Sequence, residues 1–336
     1  MKTTPKQRAD LRFLRQFAFH LLPPGAIATG VQVWYLWWFI PLLVGRLLFV
    51  TAGYHRYFSH KSYQVSRVTQ FILAFLAQTS IQKGVLWWAA HHRKHHQLSD
   101  KEGDPHNAKK GFWWSHMGWS FSDESQEADY TLVPDLAKYP ELVWLDRHPF
   151  LPPFVLGLIV LLVGGWGPFF FAFGLANIGV WHLTYTINSI SHAIGTRRFA
   201  TEDSSRNNPF LAILLLGEGW HNNHHAFPTS IRQGLYWWEV DITYYFIKLL
   251  SFVGLARGLR YPPQSAYGHK RVRDGHLDLG MVQVYAHRIQ KLLRKSERRV
   301  ARMEEKEERR TLLASLEKLT KEAERVARRY VRIQQK

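Results

Sequence analysis

Apolar residues are bunched in this chain, and the charges lie between the bunches. From Phe17 to Tyr54 the only charged side chain is Arg46, and from Pro149 to Ile190 there is none. A helix that crosses a bilayer needs about 20 mostly apolar residues, so each block is long enough for two crossings. The first block divides near Gly30 to Trp34. Its earlier half is interrupted by His20, Pro23 and Pro24, and its later half runs from Trp34 to Ala52. Gly164, Gly165, Gly167 and Pro168 break the second block, which reads as a helical hairpin. The pattern predicts an all-α integral membrane fold of four transmembrane helices in two hairpins. If the weak first helix only lies on the surface, the count falls to three or two.

Between the blocks, residues 68–90 are apolar but carry Gln70, Gln78, Gln82 and Lys83, which predicts one helix lying at the membrane interface. Residues 210–220 and 241–255 read as further amphipathic or buried helices. Residues 1–265 are expected to form the membrane domain with a polar helical cap, 266–281 a linker, and 282–336 a basic helical tail. In that tail Leu312, Leu316, Leu319, Ala323, Val326, Tyr330 and Ile333 follow alternating spacings of four and three, a heptad seam open to a solvated helix, a coiled coil or lipid docking.

Charge sharpens this layout. The chain has 336 residues and a formal net charge of +18. No Lys or Arg falls between Arg15 and Arg46 or between Arg147 and Arg197, so the cations flank the apolar blocks. That placement favours an anionic membrane surface over nucleic acid as the partner. With four crossings, an excess of cations on the cytoplasmic side places both termini and all basic segments in the cytoplasm. No cleavable signal peptide is evident. The absence of cysteine excludes disulfides, thiolate metal sites, iron–sulfur clusters and cysteine nucleophiles.

Histidine is the candidate chemistry. Eight of the 18 histidines fall in three clusters: His55 and His60; His92, His95 and His96; His221, His224 and His225. Each adjoins an apolar stretch, and polar groups so close to a membrane mark function. Residues three and four apart share a helix face, so H-x-x-H-H on two facing helices can hold ions between them. Eight ligands are too many for one ion and about right for two. No H-E-x-x-H motif for zinc hydrolysis occurs. An all-imidazole site suits redox-active iron and oxygen.

The segments TAGYHRYFSHKSY (51–63), WWAAHHRKHHQLSDKEGDPHNAKKGFWWSHMGW (87–119), NSISH (188–192) and GEGWHNNHH (217–225) resemble the membrane fatty acyl desaturase family. The resemblance covers roughly residues 11–262 and is closest to the acyl-CoA branch, similar to stearoyl-CoA delta-9 desaturases, in bacterial form. It implies two irons held by His55, His60, His92, His95, His96, His192, His221, His224 and His225, with Asn188 acting through water. Zinc could replace iron in recombinant protein. Spacing selects His92 over its neighbour His91. His106 and His116 are expected to be structural or to stand behind the ligands, and Asp104, Glu218 and Asn222 to orient imidazoles.

The resemblance also implies oxygen-dependent insertion of a cis double bond into a long saturated acyl chain, in the bacterial inner membrane, with the site facing the cytoplasm. Gln82, Trp88, Thr184 and Tyr185 match positions at the bend of an acyl tunnel, and Tyr54 is placed to limit its depth. Two electrons would come from a separate donor, either ferredoxin-like or a haem protein. Acyl-CoA is the expected substrate, although the acidic run FSDESQEADY (121–130) would repel its phosphates and leaves only Arg93, Lys94, Lys109 and Lys110 to meet them. The rival readings are an alkane or lipid hydroxylase with the same type of site and, on weaker grounds, a metal transporter. Transport sites lie near mid-membrane on broken helices, whereas these histidines sit at the ends of apolar stretches.

Overall fold

The computed structural model describes residues 12–13, 19–268, 296, 312, 314, 315 and 321. Most of the expected linker and basic tail, including all but one residue of the heptad seam, lies outside them. By compactness the chain divides into one unit of residues 1–195 with 201–264 and another of residues 196–200 with 265–336. Everything below concerns the first unit.

Helix α1 (Leu22–Thr29) extends a short turn at Phe19–Leu21. Helix α2 (Val33–Ser59) is 27 residues long and apolar enough to cross a membrane. Its outward apolar side chains are uncovered, with Val33 and Trp37 each 83% exposed. A two-residue strand β1 (Gln64–Val65) follows, then helix α3 (Arg67–Gln78), whose N-terminal amide at Thr69 is capped by the Ser66 hydroxyl. Helix α4 (Val85–Leu98) carries the second histidine cluster.

A loop region with short turns leads to α5 (Pro140–Arg147) and α6 (Leu151–Gly164), which meet at 66°. Gly165, at φ 78°, turns the chain into α7 (Trp166–His192), again 27 residues and apolar. The short helix α8 (His221–Ala226) bears the third cluster, and α9 (Ile242–Phe252) precedes β2 (Ala256–Arg257), which pairs antiparallel with β1.

Among the described residues two helices are therefore long and apolar enough to cross a bilayer, or three if the bent α5–α6 pair is counted as one crossing. This corrects the expected four. Among the described residues before Gly30 the continuous helical stretch is Phe19–Thr29, which at about 1.5 Å per residue reaches roughly half of a 30 Å hydrocarbon layer. Helices α2 and α7 both deliver histidines at their C-terminal ends to one place, and the bent α5–α6 pair lies between them in the sequence.

The single helix expected over 68–90 is also two. Between α3 and α4 the chain turns through Ile81 and Lys83, at φ 57° and 63°. Gly84 then has no room for a Cβ against Asp146. The close approach has a purpose: Asp146 Oδ1 accepts from the amides of Leu86 and Trp87 at 2.8 and 3.0 Å, capping α4.

Candidate metal centre

The first cluster depends on an unusual winding. Over Val50–Ser59 helix α2 widens into π-helical turns, and the His60 amide donates to the His55 carbonyl five residues back. At about 100° per residue an α-helix would set these two imidazoles about 140° apart. The wider turn brings their ring centroids to 4.8 Å. A π-helical segment inside an α-helix is rare and concentrated at functional sites.

Four separate elements bring nine histidines into two groups. One holds His55, His60, His92, His96 and His224, and the other His95, His192, His221 and His225. Within each group one nitrogen per ring lies within 4.8 Å of all the others. Neighbours in sequence part company here. His92 and His96, four apart on α4, serve the first group, while His95 turns to the second. On α8, His221 and His225 serve the second and His224 the first. The groups abut, with His96 and His225 stacked at 4.5 Å. His91 belongs to neither, since its ring stacks on Trp87 and its Nδ1 lies 2.9 Å from the Trp87 carbonyl.

Carboxylates stand behind four of the rings. Nδ1 of His55 lies 2.5 Å from Glu218, Nδ1 of His95 2.9 Å from Asp104, Nδ1 of His192 3.3 Å from Asp100, and Nδ1 of His225 2.8 Å from Asp203. A carboxylate at Nδ1 fixes the proton there and leaves the Nε2 lone pair free. Glu218 is held in turn by the buried Arg56, whose Nη2 lies 2.9 Å from both Glu218 and Asp241. Burial alone would raise the Glu218 carboxyl, but His55 and Arg56 outweigh it and hold it at about 2. Asp100 and Asp203 are likewise held low by His192 and His225 against the effect of burial. Burial, reinforced by neighbouring imidazoles, pushes His60, His92, His96, His221 and His224 well below the usual histidine range, so they are neutral at pH 7.

The inner nitrogens test whether these residues fit metal. Nε2 of His221 lies 3.1 Å from Nε2 of both His192 and His225, whose protons sit on the far side of their rings. One N–H at most is available to satisfy two lone pairs. Nε2 of His224 similarly meets Nε2 of His55 and His96, each at 3.0 Å. Nε2 of the buried His95 has no partner. Converging lone pairs in a buried site are costly unless a cation fills the middle. The donor set therefore fits two metal ions, one per group.

Beside the five-histidine group lies a cavity of about 90 Å³, lined among others by Gln82, Trp88, His92, Thr184, Tyr185 and Asn188. Gln82 donates to Thr184 Oγ1 at 3.0 Å, and Trp88 Nε1 donates to Gln82 at 3.2 Å. The Trp88 ring stacks on His92 on one side and on Tyr54 on the other, at 4.9 and 5.3 Å. Tyr54 is one ring further from the cavity, and its hydroxyl donates to the Lys83 carbonyl at 2.7 Å. Of the expected orienting groups, Asp104 and Glu218 meet imidazoles, while the Asn222 amide donates to the Thr201 and Ser205 hydroxyls. His106 stacks on His95 at 4.0 Å, and His116 bonds to Ser189 and His182. Asp100, Asp203 and the Arg56–Asp241 pair were not expected. The sequence carried no local signal for them, since Asp100 lies 92 residues from His192.

Comparison with known proteins places this geometry in a class. Residues 32–248 match the family model described as fatty acid desaturase. An sn-2 palmitoyl-lipid 9-desaturase of Nostoc sp. (strain 36) is 39% identical over 245 residues, covering 68% of this chain and 86% of that protein. An sn-1 stearoyl-lipid 9-desaturase of Synechocystis sp. is 39% identical over 222 residues, 66% of this chain and 70% of that protein. The acyl-CoA 5-desaturase AL21 of Anemone leveillei is 36% identical over 226 residues, 66% of this chain and 69% of that protein. The chain belongs to the fatty acid desaturase family, and its activity is that of an oxidoreductase acting on fatty acyl chains.

Proposed function

We propose that this chain is a di-iron acyl-lipid desaturase that inserts a cis double bond, at carbon 9, into a long saturated chain. The observation that carries it is the convergence of nine imidazoles into two groups with carboxylates behind four of them. Those carboxylates, at His55, His95, His192 and His225, supply negative charge to offset two divalent cations. Asn188, in the wall of the cavity beside His92, is placed to reach one ion through water.

Acyl-lipid is preferred here over the acyl-CoA favoured by the sequence. Two relatives at 39% identity are named for lipid-linked substrates. Arg93, one of the cations expected for CoA phosphates, is already engaged by Asp135 at 2.6 Å and by the Phe58, Ser59 and Leu132 carbonyls.

When bound, the two irons would supply oxygen activation, chemistry that no side chain provides. The chain's own residues position and shield. The Tyr54–Trp88–His92 stack forms a flat wall against which an acyl chain packs, and the Gln82–Thr184 bond fixes the opposite side. Over a turnover, dioxygen, two external electrons, two protons and two substrate hydrogens become two waters and an alkene. The electrons come from a separate ferredoxin-like or haem donor, and the net charge of +18 supports an acidic one. A bacterial inner membrane with the site on the cytoplasmic face is supported by the cations that flank the apolar helices.

Gas chromatography–mass spectrometry of separated lipid classes from a desaturase-deficient host expressing the chain tests this reading. A new mono-unsaturated acid in glycerolipids is expected. Hydroxylated chains without new unsaturation would move the assignment to an oxygenase.

A further inference from the structure

Beside the inner cavity lies a larger chamber of about 550 Å³. The two share Ile81, Lys83, Trp87 and Ser120 in their walls, so they abut there. Its size is that of a small-molecule site.

Lys83 stands at the boundary. Its Nζ donates to Gln126 Oε1 at 2.8 Å and lies 5.0 Å from the centre of the Trp87 ring. Neither partner is charged, and among the described residues no carboxylate pairs with it. The nearest acids are otherwise occupied or outside. Asp146 accepts from two α4 amides and from Tyr130, Asp123 pairs with Arg12, and Glu127 is exposed at the rim. Burial first, and the nearby Arg12 second, lower the Lys83 ammonium to about 8, so it stays charged at pH 7. An ammonium has three N–H groups, and one is used by Gln126.

The backbone holds this arrangement at a cost. Ile81 and Lys83 are both in the left-handed region, on either side of Gln82. Strain of this kind persists where the surroundings hold it and concentrates at functional sites. Here Gln82 lines the inner cavity and Lys83 stands in the walls of both. From Val85 to His92 the α4 axis rises about 10 Å, so a group held at the chamber boundary lies a fixed length of acyl chain from the five-histidine group.

We propose that the chamber receives the polar end of an ester-linked acyl lipid, and that Lys83 donates a hydrogen bond to the ester carbonyl oxygen. Lys83 is then a specificity-determining residue that fixes how much chain enters the inner cavity. A polyphosphate head group is disfavoured by Glu124, Glu127 and Asp129 on the acidic segment. This rests on the desaturase reading above.

Brief acetylation of the full chain in detergent, read residue by residue by mass spectrometry, tests it without a variant. The probes are dipalmitoyl phosphatidylglycerol and stearoyl-CoA, and the exposed Lys138 serves as internal reference. The diacyl lipid should slow Lys83 acetylation several-fold and leave Lys138 unchanged, with stearoyl-CoA giving clearly less protection. Equal labelling of Lys83 with and without the diacyl lipid would overturn the proposal, and equal protection by stearoyl-CoA would overturn the choice of an ester lipid. In the expressing host, Lys83→Met should raise KM for lipid about tenfold with a smaller change in kcat, and Lys83→Arg should restore it. A KM unchanged in Lys83→Met would also overturn it. Absence of any unsaturated product from the wild-type chain supplied with reductant would instead count against the desaturase reading, and the labelling result would stand apart from it.

Discussion

Nδ1 of His95 lies 2.9 Å from Oδ1 of Asp104, while Nε2 of the same buried ring has no protein partner. The carboxylate holds the proton on one side and so aims a lone pair to the other. Asp104→Asn replaces it with a group that can itself donate to Nδ1, which moves the ring proton to Nε2. Metal affinity should fall about 10–100-fold, as for other partners behind metal-bound histidines. Competition with a coloured chelator measures it, and an unchanged affinity would show that Asp104 does not orient the ring.

Arg56 has a different role. It joins α2 to Glu218 and Asp241 through a fully buried pair of ion pairs. Arg56→Met leaves two carboxylates buried without their cation, a loss of about 3–5 kcal/mol. The apparent thermal midpoint in detergent should drop sharply. A midpoint within error of wild type would contradict the network's structural weight.

The three histidine clusters were legible because their spacing is local: i, i+3 and i+4 on α4 and α8 read directly as shared faces. His192, a lone histidine at the end of α7, was reached only through family resemblance. The π-helical winding at His55 and His60 was not read, although the five-residue step between them is its signature. Asp100, Asp203 and Asp241 were missed because tertiary folding alone brings them to their partners. Apolar content marks the block before Gly30, but crossing a bilayer takes continuous helix, and there only Phe19–Thr29 is continuous among the described residues.

Trp88 separates Tyr54 from His92 and donates to Gln82. Trp88→Ala opens the flat wall and frees the Gln82 carbonyl oxygen, so an acyl chain is no longer held in one register. Product analysis should show turnover lowered at least about tenfold, or double bonds spread over neighbouring carbons. A single unshifted product formed at the wild-type rate would rule out a positioning role.

Acid should destabilise the metal-free chain in a defined window. His60, His92, His95, His96, His221 and His224 are held well below their ordinary value of 6.5, chiefly by burial, and His91 is held at about 4. The unfolded chain therefore takes up protons first as pH falls. Stability is full above about pH 6.5 and is lost progressively below it, as the pH moves down toward the folded values. The thermal midpoint of chelator-treated protein, followed from about pH 8 to pH 4.5, should be flat and then fall. A rise on acidification would contradict buried neutral imidazoles.

The most direct test of two ions held by two histidine groups is the metal-to-protein ratio of the purified chain, measured by mass spectrometry of total metal against amino-acid analysis. The account predicts about two ions per wild-type chain. It predicts about one in a His60→Ala, His96→Ala double variant, which leaves three imidazoles in the five-histidine group, and about one in His192→Ala, which leaves three in the other. A wild-type ratio near one, or a full complement retained in both variants, would contradict the dinuclear centre.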